Sequence, residues 1–211
     1  MRNGARAVAG PSSPAALPGL PRYPLAHLRS VVVVAALPYD AVAGFGGAMA
    51  MLGAAGARLR VVLVAEGPVA GPAQTRALRL LGGPRLEIVR LGVPAGALHL
   101  HLGDVTRRLG VLVRGFELCA APWSGDRRAD PGAARWAALL ACGLRLGPPL
   151  VEYRSAADDG ARPGGPPAPW ARAAYVAVPR AAALSKRRAL ECWSGPGAGS
   201  AEEAPHEILF R

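Results

Sequence analysis

Residues 31–40 read Val-Val-Val-Val-Ala-Ala-Leu-Pro-Tyr-Asp. An apolar, β-branched run that ends at a proline is typical of a parallel strand buried on both faces. The small residues that follow, as far as Gly56, predict a helix over 41–55 with Asp40 or a neighbour as its N-terminal cap. A strand that leads into a helix is the unit of an α/β sheet, whose ligands bind in the crevice at the carboxyl ends of the strands.

The rest of the chain repeats this alternation. Apolar runs at 59–65, 86–91, 118–122 and 148–153 predict further strands, and helices are predicted over 73–81, 104–113 and 132–144, with Asp104 as the cap of the middle one. The fold class predicted is α/β, a Rossmann-like three-layer sandwich with a mainly parallel central sheet.

Three glycines, Gly44, Gly46 and Gly47, stand in the first turns of the first helix. Each costs up to ~1 kcal/mol of helix propensity relative to Ala. Such a cost is tolerated where the backbone must lie close to another strand or to a bound group. The glycines therefore predict a close approach on this face of the helix.

The length of 211 residues suits one α/β domain with a short extension. Residues 1–30 are rich in Pro, Ala and Arg, which predicts an extension that lies over the domain or stays flexible. Residues 31–211 are predicted to form the domain, with 151–211 completing the sheet and covering the crevice.

The composition predicts a cytoplasmic protein. No apolar run approaches the roughly 20 residues of a membrane span, and Pro11, Pro14 and Pro18 interrupt any signal-peptide core. The three cysteines, Cys119, Cys142 and Cys192, are odd in number and lack C-x-x-C spacing. They suit free thiols in a reducing compartment better than disulfides or a zinc knuckle.

The net charge of +11 comes almost entirely from arginine. A basic total can indicate nucleic acid as a partner. Here the arginines are scattered, aromatic residues are not interleaved with them, and no nucleic-acid module is recognisable. Nucleic-acid binding therefore stands third among the functions considered, because it rests on charge alone.

The first loop resembles the opening signature of the zinc-dependent PIG-L/LmbE-like N-acetyl-sugar deacetylases. That signature has Ala-His-Pro-Asp-Asp-Glu after an aliphatic strand, and a Gly-x-Gly-Gly segment soon after. The chain reads Ala36-Leu37-Pro38-Tyr39-Asp40-Ala41, and then Gly44-Phe45-Gly46-Gly47. The residues that shape the loop match the signature, whereas most of the residues that bind zinc or act in catalysis do not.

A second signature of the family, approximately Pro-Trp-x-Gly-Asp-Gly-His-Pro-Asp-His, is similar to residues 122–131. The chain has Pro-Trp-Ser-Gly-Asp-Arg-Arg-Ala-Asp-Pro there. Smaller echoes are Ala65-Glu66-Gly67 for Thr-Asp/Glu-Gly, and Arg76 for the Arg of an Arg-x-x-Glu segment. The resemblance spans about 31–211 and makes six residues candidates for the crevice: Asp40, Glu66, Arg76, Asp126, Arg128 and Asp130.

The resemblance implies a zinc site with three protein ligands and an open position for water, whose pKa the metal lowers to ~7. Transferred to this chain, the ligand positions are Leu37, Asp40 and Pro131. The general base falls on Tyr39 and the oxyanion helper on Arg128. Leu and Pro offer no lone pair, so one carboxylate remains and no zinc is expected. The chain is thus predicted to be a pseudoenzyme of the deacetylase family.

Several alternatives stay open. An active hydrolase could have rebuilt its metal site from Asp40, Asp126 and Asp130, whose oxygens suit Mg²⁺ or Ca²⁺, or from His99 and His101 with Asp104. A guanidinium of Arg128 or Arg127 could instead replace the metal and pair with Asp40, because an uncompensated buried carboxylate is costly. The expected partner is a sugar-like small molecule or a protein. The sequence does not define the ligand or the oligomeric state.

Overall fold

The computed structural model describes residues 19–67, 71–123, 129–143, 147–154, 169–192 and 206–211. Strands and helices alternate as far as the fifth strand. The strands are β1 (Ser30–Ala35), β2 (Arg58–Glu66), β3 (Glu87–Pro94), β4 (Leu118–Pro122), β5 (Leu150–Tyr153), β6 (Ala173–Ala177) and β7 (His206–Phe210). The α-helices are α1 (Pro38–Ala54), α2 (Pro72–Gly82), α3 (Leu102–Leu112), α4 (Ala129–Gly143) and α5 (Arg180–Glu191).

The seven strands form one sheet in the order β3-β2-β1-β4-β5-β7-β6. The first five run parallel, and β7 is antiparallel to both of its neighbours. Helices cover both faces, so the predicted α/β sandwich with a mainly parallel sheet is confirmed. β6 and β7 complete the sheet beyond β5.

β1 lies at the centre because its side chains are apolar on both faces. Val31, Val33 and Ala35 pack with α1, α2 and α5, whereas Val32 and Val34 pack with α3 and α4. All are fully buried, as a strand between two helical layers requires. β2 pairs with one edge of β1, and β4 pairs with the other edge. The direction in which the strands are added to the sheet therefore reverses between β1 and β4. This switch point is where α/β sheets place their ligand crevice.

Three helix starts differ from the sequence prediction by two or three residues, and one of them is that of α4, which begins at Ala129 rather than 132. α1 begins at Pro38 rather than 41, because proline fits the first helical position. α3 begins at Leu102, directly after a 3₁₀ turn over Leu98–His101. Asp104 is therefore not its cap: it lies in the first turn, where it pairs with Arg107 and Arg108.

The described part of the predicted extension lies against the domain. The Tyr23 amide donates to Tyr175 O at 2.8 Å, and the Tyr175 amide donates to Pro21 O at 3.0 Å. Leu25 is buried in the core with α1. None of the described helices has both the length and the apolar character needed to cross a membrane.

Candidate crevice at the switch point

The glycines of α1 allow close packing against strands and helices. A Cβ on Gly44 would lie 2.6 Å from Arg154 O and would also clash with the Tyr153 ring. A Cβ on Gly47 would lie 2.7 Å from a methyl group of Val178. The predicted close approach is thus confirmed, and the partners in both cases are protein atoms.

Asp40 is fully buried at the start of α1. Its Oδ2 accepts a hydrogen bond from the Leu37 amide at 2.9 Å, and its own amide donates to Leu37 O at 3.0 Å. Leu37 is the cap residue and Asp40 is the third residue of the helix. A carboxylate at this position satisfies an amide at the helix start and interacts favourably with the helix dipole.

The side chains beside Asp40 pack into apolar surroundings. Leu37 packs on the cluster between the sheet and α3–α4, and its Cδ2 would be 3.2 Å from a Cβ on Gly67. Tyr39 is half-buried and packs on the opposite cluster. Leu37 occupies a zinc-ligand position and Tyr39 the general-base position that the resemblance implies. These two residues therefore flank Asp40 on different sides of the sheet.

The carboxylate of Asp130 binds the loop after β3. Oδ2 accepts from the Gly96 amide at 2.6 Å and Oδ1 accepts from the Leu98 amide at 3.3 Å. This tether joins the start of α4 to the carboxyl end of β3. Pro131, the remaining ligand position, is buried in the first turn of α4.

Two of the other candidates are exposed on separate elements, and the other two lie outside the described residues. Glu66 is exposed at the end of β2, and its Oε2 is 3.8 Å from the Cβ position of Gly92 on β3. Arg76 is exposed on α2 and lines a shallow depression with Arg79 and Leu80. Asp126, Arg127 and Arg128 lie outside the described residues. The pairing of Asp40 with either arginine, and the oxygen site of Asp40, Asp126 and Asp130, therefore remain hypotheses.

His99 and His101 are exposed in the 3₁₀ turn before α3. Within the described ranges, no three His, Cys, Asp or Glu side chains converge in a way that could hold a metal ion. These two histidines and Asp104 accordingly do not form the alternative metal site.

The donor set at the described ligand positions does not fit zinc. A structural or catalytic zinc needs at least three nitrogen, oxygen or sulfur ligands. Leu37 and Pro131 supply none, and the Asp40 carboxylate is bound to the helix start. No reaction step through zinc follows from these residues.

Two buried acids of the sheet were not identified from the sequence. Glu207 accepts from the Gly47 and Ala48 amides at 2.7 and 2.9 Å and pairs with Lys186 at 2.7 Å. Glu152 pairs with Arg135. Both acids stand in short strands, and their partners are on helices between 17 residues (Arg135) and 160 residues (Gly47) away in the chain. The sequence gives no local signal for either.

Because the Asp40 carboxylate accepts from the Leu37 amide at the helix start, Asp40→Ala should lower the free energy of unfolding by about 1–3 kcal/mol, the cost of leaving that donor without its acceptor. Asp40→Asn should lose less, because its amide oxygen can still accept from the Leu37 amide. Urea unfolding of the two variants measures the difference. A loss in Asp40→Asn as large as in Asp40→Ala would contradict the role of this carboxylate as acceptor at the helix start.

Neither a protein-family model nor a curated protein sequence matches the chain. Solved structures do match. The A40926 pseudoaglycone deacetylase Dbv21 superposes with a TM-score of 0.70 at 16% identity, over 86% of this chain and 96% of that one. The zinc-inhibited form of teicoplanin deacetylase Orf2 gives a TM-score of 0.68 at 16% identity, over 86% of this chain and 97% of that one. A deacetylase of the teicoplanin biosynthesis pathway, crystallised in complex with teicoplanin, also matches with a TM-score of 0.68.

Another similar structure has a different activity. GalB, the 4-carboxy-2-hydroxymuconate hydratase of Pseudomonas putida KT2440, matches with a TM-score of 0.60 at 17% identity, over 87% of this chain and 95% of that one. The chain therefore has the fold of these deacetylases, as the resemblance of its signatures implied. Because a hydratase shares it, the fold alone does not select the reaction.

Proposed function

We propose that the chain is a catalytically inactive relative of the PIG-L/LmbE-like deacetylases that binds a sugar-like ligand or a protein partner at the switch-point crevice. The observation that carries this proposal is the state of Asp40. Of the three zinc-ligand positions, only the one that Asp40 occupies keeps a side chain able to bind a metal. The Asp40 carboxylate accepts a hydrogen bond from the Leu37 amide at the buried start of α1.

The side chains at the three ligand positions support the absence of zinc-dependent hydrolysis. Zinc-activated water requires several protein ligands that hold the ion and leave one position open. Leu and Pro at two of three positions supply no lone pair. Tyr39 stands at the base position, where a phenol replaces the carboxylate that the resemblance implies.

The scaffold of the crevice supports a binding role. The strand order reverses beside α1, and the glycines still allow α1 to pack closely on the strands beyond β4. A deacetylase of the same fold has been crystallised with teicoplanin. A ligand with sugar-like groups is therefore the first class to test.

The test measures the zinc content of the purified protein and its hydrolysis of N-acetylated amino sugars. We expect the purified protein, loaded with excess zinc and then desalted, to retain far less than one zinc per chain. It should release no acetate from a panel of N-acetylated amino sugars. Asp40→Ala serves as the matched variant, and its zinc content should equal that of the parent. Near-stoichiometric zinc that is lost in Asp40→Ala would contradict the proposal and favour the active-hydrolase alternative.

A further inference from the structure

A cavity of about 390 Å³ lies between the described part of the extension and the outer strand β6. Small-molecule pockets in proteins span roughly 300–1,000 Å³, so this volume can hold a ligand. Residues 22–27 supply one wall, and the others come from Met51 of α1 and from Val176 and Ala177 of β6. None of these residues is a candidate for the switch-point crevice, and the cavity is therefore a separate site.

The wall that the extension supplies is held at both of its ends. At the first end, Arg22 pairs with Tyr175 in a parallel bridge beside β6. Beyond the other end, the Arg58 amide of β2 donates to Arg29 O at 2.8 Å. Between these points Leu25 is buried and anchors the segment in the core. The shape of the cavity is thus set by backbone pairing and by a buried side chain.

The floor of the cavity is apolar. Leu25 and Val176 are buried in the cluster that α1 forms with the sheet, and half-buried Met51 packs against that cluster. Ala26 and Ala177 also line the cavity, and their side chains of one methyl group leave space. The unbranched side chain of Met51 can adapt to a ligand. This floor suits an aliphatic chain better than a sugar, whose hydroxyl groups need hydrogen-bond partners.

Three polar side chains stand around this floor. Arg22 and His27 are exposed, and Tyr23 is half-buried. Within the described ranges, none of the three side chains forms a hydrogen bond or an ion pair with another protein group. Burial raises the pKa of Tyr23, against the opposing effect of the Arg211 guanidinium. The Tyr23 hydroxyl therefore stays protonated at neutral pH and can donate to a ligand.

The charge around the cavity favours an anion. Its lining contains the Arg22 guanidinium and no carboxylate. Glu207 stands opposite Val176 in the sheet. Its carboxylate is already bound by Lys186 and by two amides of α1, and so it does not neutralise Arg22. A guanidinium without an acidic partner at the rim of an apolar cavity matches a ligand with one anionic end.

We propose that this cavity binds a monocarboxylate with an aliphatic chain. The Arg22 guanidinium pairs with the carboxylate, for which its planar set of donors is suited, and the Tyr23 hydroxyl donates a further hydrogen bond. The aliphatic chain lies against Leu25, Met51 and Val176. This ligand differs in chemistry from the sugar-like ligand proposed for the crevice, and the two sites are independent.

Octanoate is the probe, and the methionine methyl groups report where it binds. Met51 lines the cavity, whereas Met49 is fully buried in the same helix and does not. In the full chain labelled with ¹³C at the methionine methyl groups, we expect octanoate to shift the Met51 signal in a saturable way. The Met49 signal should stay in place, which shows that the fold is unchanged. Met51→Leu assigns the two signals.

Two comparisons test the recognition of the charge. Arg22→Gln should weaken octanoate binding by about tenfold or more, because a charge-assisted hydrogen bond is lost. Arg29→Gln is the matched control: Arg29 is an exposed residue of the same segment that does not line the cavity, and its loss should change binding by less than about twofold. Octan-1-ol, which has the chain without the charge, should bind about tenfold or more less tightly than octanoate.

The contrary results are equally specific. The absence of a saturable shift of the Met51 signal would overturn the proposal, as would equal affinities for octanoate and octan-1-ol. Equal weakening in Arg22→Gln and Arg29→Gln would also overturn it, because attraction by the net charge of +11 would then explain the binding. If the Met49 signal shows that Arg22→Gln does not fold, the comparison of octanoate with octan-1-ol in the parent chain decides.

Discussion

Glu207→Ala should lower the free energy of unfolding by about 3–5 kcal/mol, the cost of removing one partner of a buried ion pair. Glu207 is 4% exposed in β7. Its carboxylate binds Lys186, whose side chain is 18% exposed, and accepts from the Gly47 and Ala48 amides. Truncation leaves the ammonium group and the amides without this acceptor.

The position of these amides makes the effect large. Gly47 and Ala48 lie inside α1, where amides ordinarily donate to carbonyls four residues earlier. The Glu207 carboxylate accepts from the Gly47 and Ala48 amides at 2.7 and 2.9 Å, and so it takes part in the backbone hydrogen bonding of the helix. With its bond to Lys186, this one side chain links β7, α5 and α1. Because this side chain holds β7 and α5 against α1, its removal should destabilise the whole domain.

Urea unfolding followed by circular dichroism measures the effect. Glu207→Gln should fall between the parent and Glu207→Ala, because the amide oxygen still accepts one hydrogen bond while the charge is lost. Glu191→Ala is the matched control: this acid is 64% exposed on α5, 3.6 Å from Arg187, and its loss should cost less than about 1 kcal/mol. A cost for Glu207→Ala no greater than for Glu191→Ala would contradict the role assigned to it.

Gly44→Ala should destabilise the protein by about 3 kcal/mol, the upper end for overpacking, or prevent folding. The added methyl group would lie 2.6 Å from Arg154 O and against the Tyr153 ring. Tyr153 has little room to move, because it is fully buried and its hydroxyl donates to Val34 O at 2.9 Å.

Gly110→Ala is the matched control for this effect. Gly110 lies in α3, and a Cβ there meets nothing within 4 Å. Alanine should therefore stabilise this helix by about 0.5–1 kcal/mol relative to glycine. Opposite signs for the two substitutions, measured as shifts in the denaturant midpoint, test the packing. Stabilisation by both would show that α1 does not approach β5 as closely as described.

The sequence predicted the parts of the fold that depend on local pattern. The run of valines in β1 indicates burial on both faces, and the three glycines of α1 indicate close packing. Both follow from side-chain size and polarity at neighbouring positions. The structure adds that the close neighbours of Gly44 and Gly47 are β5 and the residues after β6.

Other features depend on partners far away in the chain. Glu207 and Gly47 are 160 residues apart, and a single acid in a short strand does not reveal a partner at that distance. Asp130 was assigned to the crevice by its signature, and the signature did not reveal that its carboxylate binds amides of the loop after β3. Asp40 was expected at the start of α1, and the structure shows it as the third helical residue with Leu37 as the cap.

The central claim is that the chain lacks zinc chemistry because its donors have been replaced. Zinc titration of Leu37→His/Tyr39→Asp/Pro131→His by calorimetry tests this most directly, with the parent and the same variant carrying Asp40→Ala as controls. We predict about one zinc per chain for the triple variant, following the three-ligand rule for such sites, and no binding by either control. A folded triple variant that binds no more zinc than the parent would contradict the assignment of these positions, and stoichiometric binding by the parent would contradict the loss of the site.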